Sequence, residues 1–281
     1  MQLMYFRKEV WSPDDFLNRY IDGLRWIWST PSLIAILLFI SVSMTVASHR
    51  LQEIIIQGQA LLSSLGFGAF LLFIIFSLVV VAIHELGHAF TLKHYGGVVP
   101  WFGVMFMMGM PLAYTDTTDS YCLSRFKRVQ VVGAGIVVQL ILAGLGFWTW
   151  TLTVPGTWLQ IGGYLLMTAS LTTVAINCFP LAKFDGYYLM MAILKINDMR
   201  QKAFEHYGDI LKLRPSKYTG REALILTLYA PLAFLYMWFI FGYILLSISS
   251  LLFNRFPILT LVLLSLYIIY LIMPDTNLER S

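Results

Sequence analysis

Residues 66–88 read GFGAFLLFIIFSLVVVAIHELGH, a long apolar segment that closes on two histidines and a glutamate. The part from Gly66 to Ile83 carries no charge, and about 20 helical residues cross the hydrocarbon core of a bilayer. Ionisable residues within or at the end of such a span are costly to bury and are functional candidates. The segment therefore predicts a transmembrane helix that carries a chemical site at one end.

The composition of the whole chain also indicates a membrane protein. Of its 281 residues, 58% are hydrophobic and 12% are charged, against about 45–50% and about 25% in soluble globular proteins. So little polar surface excludes a water-soluble enzyme, a disordered region and a DNA-binding domain. The two cysteines are too few for a disulfide framework, and we expect both to be small packing residues.

Six stretches are predicted to span the membrane as helices. They cover about residues 31–48, 61–88, 129–152, 158–178, 222–249 and 256–273. Between the second and third spans, residues 96–119 mix glycine and proline with apolar residues, which predicts a short irregular or extended re-entrant segment. The predicted fold class is an all-α polytopic membrane protein with about six transmembrane helices.

The basic residues predict the orientation and the division of the chain. With the N-terminus in the cytoplasm, all of the 19 Lys and Arg except Arg50 and Arg255 fall in cytoplasmic segments. This topology also explains the net positive charge, so we expect no nucleic acid partner. The expected partner of the basic segments is the lipid bilayer. We predict cytoplasmic N- and C-termini, with the following parts: an interfacial segment at 1–30, a membrane domain at 31–273 containing a cytoplasmic loop or surface helix pair at about 195–221, and a tail at 274–281.

The last five residues of the opening segment, His84-Glu85-Leu86-Gly87-His88, have the HExxH arrangement. In a helix, His84 and His88 lie one turn apart on the same face, so both imidazoles can reach one zinc ion. Glu85 is turned by about 100° from His84, where its carboxylate can act as a general base beside the metal. The alternative is a pair of packed histidines at a helix end, which would cost several kcal/mol without partners.

A catalytic zinc site needs a third protein ligand, and the sequence offers three acidic candidates. Asp116 and Asp119 follow the irregular segment, where turn formation is their expected role, with substrate binding by Asp116 as an alternative. Asp185 follows the fourth span, after a break at Pro180. The predicted topology brings the ends of the second and fourth spans to the same side, which favours Asp185. Asp116 lies on that side as well, so topology alone leaves it open.

These residues together resemble the site-2 protease family of intramembrane zinc metalloproteases. The family's second motif is N-x-x-P-x-P-x-L-D-G, and the matching positions here are Asn177, Pro180, Asp185 and Gly186. The resemblance covers about residues 61–194. The departures are Ala182 for the second proline, Phe184 for the leucine, and Ile136 and Gln139 in the G-P-x-x-N pattern that begins at Gly135.

The resemblance implies one zinc ion per chain bound by His84, His88 and Asp185, with Glu85 as the general base. It implies that Asn177 helps to hold the substrate or the developing oxyanion. The substrate would be a membrane-associated peptide or protein, cut near the cytoplasmic face of a bacterial cell membrane. The compact form resembles the bacterial branch associated with peptide maturation and export, and signalling is a further expected role. The sequence predicts no oligomeric state.

A second hypothesis is a non-enzymatic membrane component of peptide transport or immunity that keeps a structural zinc. Structural sites usually close with four protein ligands, and Cys178 or His94 could supply the fourth. An intact Glu85 favours catalysis, because a structural site has no use for it. The remaining histidines, His49 and His206, are expected in solvated loops.

Overall fold

Five helices are long and apolar enough to cross a membrane in the described part of the computed structural model, which covers residues 5–107 and 110–255 and the single residues 258, 261, 262 and 265. They are α2 (Thr30–His49), α4 (Phe67–His94), α5 (Arg125–Leu152), α6 (Trp158–Asn177) and the first part, Gly220–Phe239, of α9 (Gly220–Arg255). The predicted class of an all-α polytopic membrane protein is confirmed. The sixth predicted span, residues 256–273, falls almost wholly outside the described residues.

The second predicted span begins later than its hydrophobicity indicated. A separate helix, α3 (Leu51–Leu65), occupies the stretch before it, and Gly66 separates the two helices. Gly66 has a φ of 52°, a backbone conformation that residues other than glycine rarely adopt. Helix α4 therefore starts at Phe67 and carries the HELGH residues in its last three turns.

The glycine-rich connector after α4 forms extended structure, as its composition predicted. Its strands β2 (Phe102–Met107) and β3 (Met110–Thr115) pair antiparallel, and the N-terminal strand β1 (Tyr5–Trp11) pairs with the other side of β2. A Cβ on Gly103 would lie 2.3 Å from the Lys8 carbonyl oxygen, so the β1–β2 contact requires glycine there. The sequence did not predict that residues 5–11 would join this sheet.

Helices α5 and α6 pack with their backbones close together. A Cβ on Gly146 would lie 2.5 Å from the backbone nitrogen of Met167, and one on Gly163 would lie 2.6 Å from that of Trp150. Small residues allow such close approach between helices in membranes, where packing contacts drive association. These two helices and α4 form the frame around the candidate site.

Helix α1 (Asp14–Leu24) is held against the last turns of α4. Leu17 is fully buried among apolar side chains that include Ala89 and Leu92 of α4. Both carboxylate oxygens of Asp14 accept hydrogen bonds from Lys93 Nζ at 2.8 Å, and one also accepts from the Val99 backbone N–H at 2.9 Å. Burial raises the pKa of Asp14, but these donors lower it by more, so the net shift is downward.

A second unit begins at Asp198 and contains α8 (Met199–Leu211) and α9. His206 of α8 is 5% exposed, and its two ring nitrogens lie 2.6 Å from Ser216 Oγ and 3.0 Å from Thr227 Oγ1. The expectation that His206 is solvated was therefore wrong. Hydroxyl groups of two later residues form hydrogen bonds with its ring nitrogens. The polar sequence around His206 does not indicate these contacts.

The contact between α1 and α4 leads to a prediction for stability. We expect Asp14→Asn to lower the melting temperature at pH 7 by about 5 °C, because hydrogen bonds to a charged group contribute about 1.5–3 kcal/mol. A depressed carboxyl pKa stabilises the fold above the ordinary pKa of about 3.9 and loses its effect as the pH falls through the folded value. The difference in melting temperature between variant and wild type should thus be smaller at pH 3 than at pH 7.

Thermal melts in detergent measure this difference, and Asp15→Asn, at an exposed position, is the control. An equal difference at both pH values would contradict the role of this pair.

Candidate metal centre

Helix α4 brings two histidines to one point near its end. His84 and His88 are 3% and 6% exposed, and their Nε2 atoms lie 3.1 Å apart. The spacing of four residues places both rings on one face of the helix. The geometry agrees with the arrangement that the sequence predicted for these two residues.

The carboxylate of Asp185 completes a triangle of ligand atoms. Its Oδ2 lies 3.1 Å from His84 Nε2 and 3.2 Å from His88 Nε2. Three potential metal ligands from two distant parts of the chain thus meet within the described residues.

Asp185 is positioned by the turn between α6 and α7 (Asp185–Leu194). A Cβ on Gly186 would lie 2.2 Å from the Cys178 carbonyl oxygen, so only glycine lets the chain fold back so closely. At the other end of α7, the Arg125 guanidinium donates to the carbonyl oxygens of Ala192, at 3.0 Å, and Ile193. The helix that carries Asp185 is therefore held at both ends.

Helix α5 approaches the histidines through Gly135. A Cβ at this position would lie 2.4 Å from His84 Cε1 and 2.5 Å from His88 Nε2. The sequence placed Gly135 within the family resemblance but assigned no contact to it. The close approach depends on the crossing of α4 and α5, and no local pattern in the sequence reports that crossing.

A hydrogen bond fixes the orientation of the His88 ring. Its Nδ1 donates to the Val131 carbonyl oxygen at 2.8 Å, which leaves the Nε2 lone pair directed at His84 and Asp185. Metal-binding histidines commonly donate their second ring N–H to a carbonyl or carboxylate in this way. His84 Nδ1 has no hydrogen-bond partner among the described residues.

The three ligand atoms fit a zinc ion. Zinc binds histidine nitrogen and carboxylate oxygen at about 2.0–2.2 Å in tetrahedral sites, which separates ligand atoms by about 3.3 Å. The observed separations are 3.1–3.2 Å. Two imidazoles and one carboxylate also form the type of ligand set that leaves a fourth position for water or substrate in catalytic sites.

Glu85 lies beside this cluster. The residue is partly buried, and its carboxylate interacts electrostatically with His84, His88 and Asp185. The Thr115 hydroxyl of β3 donates to the Glu85 backbone carbonyl at 3.3 Å, which joins the sheet to the helix at this residue. A carboxylate adjacent to three metal ligands can exchange a proton with water at the open position.

Asn177 lies at the end of α6, with its side chain towards α5. Its Nδ2 donates to Gln139 Oε1 at 3.4 Å, a long hydrogen bond, and Gln139 is fully buried. Gln139 is one helical turn beyond Gly135, the glycine that contacts both histidines. Asn177 is therefore near the cluster through α5, and its role towards substrate remains a prediction.

The alternative third ligands have other partners. Asp116 Oδ1 accepts the Thr118 backbone N–H at 2.9 Å, and Asp119 Oδ2 accepts that of Val98 at 2.8 Å, as expected of turn-forming residues. The possible fourth ligand His94 stacks on Trp28 with ring centroids 4.4 Å apart.

The expectation for the two cysteines was wrong. Cys122 and Cys178 are both free and exposed, so neither is a small residue packed in the core. Cysteine is among the most frequently buried residue types, and the expectation followed that tendency. Neither thiol belongs to the group of possible metal ligands found among the described residues.

Part of the chain is similar to a protein of Bacillus subtilis (strain 168) that is named "Putative peptide zinc metalloprotease protein YydH". The two sequences are 25% identical over 158 residues, which represent 54% of this chain and 60% of the relative. The chain therefore matches less than two thirds of the length of that relative. No family model matches the chain, and no solved structure matches it significantly.

The geometry predicts which acidic residue holds the metal. We expect Asp185→Ala to reduce bound zinc well below one ion per chain, because it removes one of the three candidate ligands, whereas Asp116→Ala should keep the full amount. Metal analysis of the two purified variants measures this. Full zinc in Asp185→Ala together with loss of zinc in Asp116→Ala would contradict the ligand assignment.

Proposed function

We propose that the chain is a zinc-dependent endopeptidase that hydrolyses a peptide bond in a membrane-associated polypeptide. The observation that carries the proposal is the convergence of His84, His88 and Asp185 beside Glu85, at the end of an apolar helix. The similarity to a relative named as a peptide zinc metalloprotease supports it. The residues quoted for the site-2 protease resemblance favour that type of intramembrane enzyme.

The proposed chemistry assigns separate tasks to the ligands and to Glu85. His84, His88 and Asp185 would hold one zinc ion, with the His88 ring oriented by the Val131 carbonyl oxygen. When bound, zinc supplies a Lewis acid that activates water and polarises the scissile carbonyl. Glu85 would accept a proton as water attacks the carbonyl carbon, and would deliver it to the leaving nitrogen as the C–N bond breaks.

The substrate would have to be extended at the point of cleavage, because a helical backbone keeps its carbonyl groups in hydrogen bonds. Strand β3 offers a place for an extended segment. The Asp116 N–H donates to the Trp101 carbonyl oxygen, on the side of β3 that faces β2. Backbone groups alternate in direction along a strand, so those of Ala113 and Thr115 point away from β2, towards the outer edge of the sheet. That edge has no strand partner among the described residues. We propose that substrate adds to it as a further strand, beside Glu85.

The orientation in the membrane is part of the proposal. The concentration of Lys and Arg in segments on one side of the predicted spans supports cytoplasmic N- and C-termini and a site near the cytoplasmic face. We propose the bacterial cell membrane as the location and peptide maturation or signalling as the role, by resemblance to the compact bacterial branch.

Strand addition can be tested at Ala113. We expect Ala113→Pro to reduce cleavage at least about tenfold, because proline removes the N–H that the free edge would donate to substrate. Zinc content should stay at the wild-type value, since the change does not alter a ligand. Ala113→Val keeps the N–H and serves as the control. Full cleavage by Ala113→Pro would contradict substrate binding at this edge.

The enzyme hypothesis depends on Glu85. We expect Glu85→Gln to keep one zinc ion per chain and to lose all detectable cleavage, because the amide cannot accept the proton from water. The assay is co-expression of wild type or variant with peptides encoded by neighbouring genes, followed by mass spectrometry of the products. If the biological output is unchanged in Glu85→Gln, the chain is instead a non-enzymatic zinc-containing component of peptide transport or immunity.

A further inference from the structure

An apolar cavity of about 360 Å³ lies next to the candidate metal centre. Its walls come from α5, from the turn after α6 and from α7. The volume falls within the range of about 300–1,000 Å³ that is typical of small-molecule pockets. The lining includes Ile136, Cys178, Pro180, Leu189, Met190 and Ile193.

Two residues that line the cavity are sequence neighbours of residues at the cluster. Ile136 follows Gly135, the position where a Cβ would lie 2.5 Å from His88 Nε2. Gly186, which also lines the cavity, follows the ligand candidate Asp185. A Cβ on Gly186 would lie 2.2 Å from the carbonyl oxygen of Cys178, another lining residue, so the cavity lies beside the turn that positions Asp185.

The chemistry of the lining defines the group that fits. All lining side chains are apolar apart from the Cys178 thiol, and no charged or amide side chain is among them. A charged or strongly polar group would lose its hydration there and find no side-chain partner. A large aliphatic or aromatic group would instead be removed from water, which is favourable in proportion to its apolar area.

We propose that this cavity binds a large apolar side chain of the substrate, next to the bond that is cleaved. The proposal rests on the proposed peptidase function and adds a specificity to it. Substrates with leucine, isoleucine, methionine or phenylalanine at that position would be preferred over those with alanine or with charged residues. Leu189 and Met190 of α7 would form the part of the wall that sets the depth of the pocket.

Cys178 makes the cavity accessible to chemical modification. Its thiol is free and exposed, and so is that of Cys122, which does not line the cavity. In a Cys122→Ser protein, benzyl methanethiosulfonate would attach a removable aromatic group at Cys178. In a Cys178→Ser protein, the same reagent would modify Cys122 and provide a matched control.

The test compares two hydroxamates, acetohydroxamic acid and 4-methylpentanohydroxamic acid, which share a zinc-binding group and differ in the apolar tail. Binding is measured on zinc-loaded Glu85→Gln protein, so the result does not depend on peptide cleavage. We expect the compound with the longer tail to bind about tenfold more tightly or better. Modification of Cys178 should remove that preference while changing acetohydroxamate affinity and zinc content less than twofold, and a reducing agent should restore it.

Modification of Cys122 in the control protein should leave the preference intact. Leu189→Trp, which places a larger side chain in the lining from α7, should reduce the preference as the Cys178 label does. Equal affinities of the two hydroxamates, or a preference that survives both changes, would overturn the proposal. Protection of Cys178 from the reagent by phospholipid, with no protection by 4-methylpentanohydroxamic acid, would assign the cavity to acyl chains and also overturn it.

Discussion

Two imidazole nitrogens and one carboxylate oxygen lie 3.1–3.2 Å from one another at the end of an apolar helix. Such a close group of electron-pair donors is unfavourable unless a cation or proton lies between them. Its formation requires α4, α5 and α7 to meet at one point, and glycine permits two of the approaches. Gly135 allows α5 to pass over both histidine rings, and Gly186 allows the turn before α7 to fold back on itself.

Supporting contacts extend from this group in two directions. Arg125 holds the C-terminal end of α7, so the short helix that begins at Asp185 is attached to α5 as well as to the turn. On the other side, the Asp14–Lys93 ion pair ties the N-terminal helix to α4 five residues beyond His88. The N-terminal segment thus supports α4 in addition to supplying a strand to the sheet.

The sequence predicted the features that follow from local periodicity. Long apolar runs predicted the spans, and the spacing of His84 and His88 predicted a shared helix face. The sequence did not predict that Gly66 separates two helices within a continuous hydrophobic stretch. The break depends on a positive φ, which a hydropathy pattern does not show. The pairing of β1 with β2 was also missed, since backbone hydrogen bonds between residues almost 100 positions apart leave little trace in side-chain pattern.

The sequence predicted the candidate ligands but not the packing around them. The family motif identified Asp185, and the structure places it against both histidines. The contact of Gly135 with the rings, the buried environment of His206 and the exposure of both cysteines required the three-dimensional packing. The apolar cavity could not be predicted either, because its walls come from two parts of the chain that are about 40 residues apart.

We propose that His84, His88 and Asp185 form one zinc site with an open position. X-ray absorption spectroscopy at the zinc edge of the purified protein can identify the ligands of that site. We expect one zinc per chain, with two imidazole ligands, only nitrogen and oxygen neighbours, and distances of about 2.0–2.2 Å. A sulfur neighbour at about 2.3 Å, or zinc far below one per chain after loading, would contradict it.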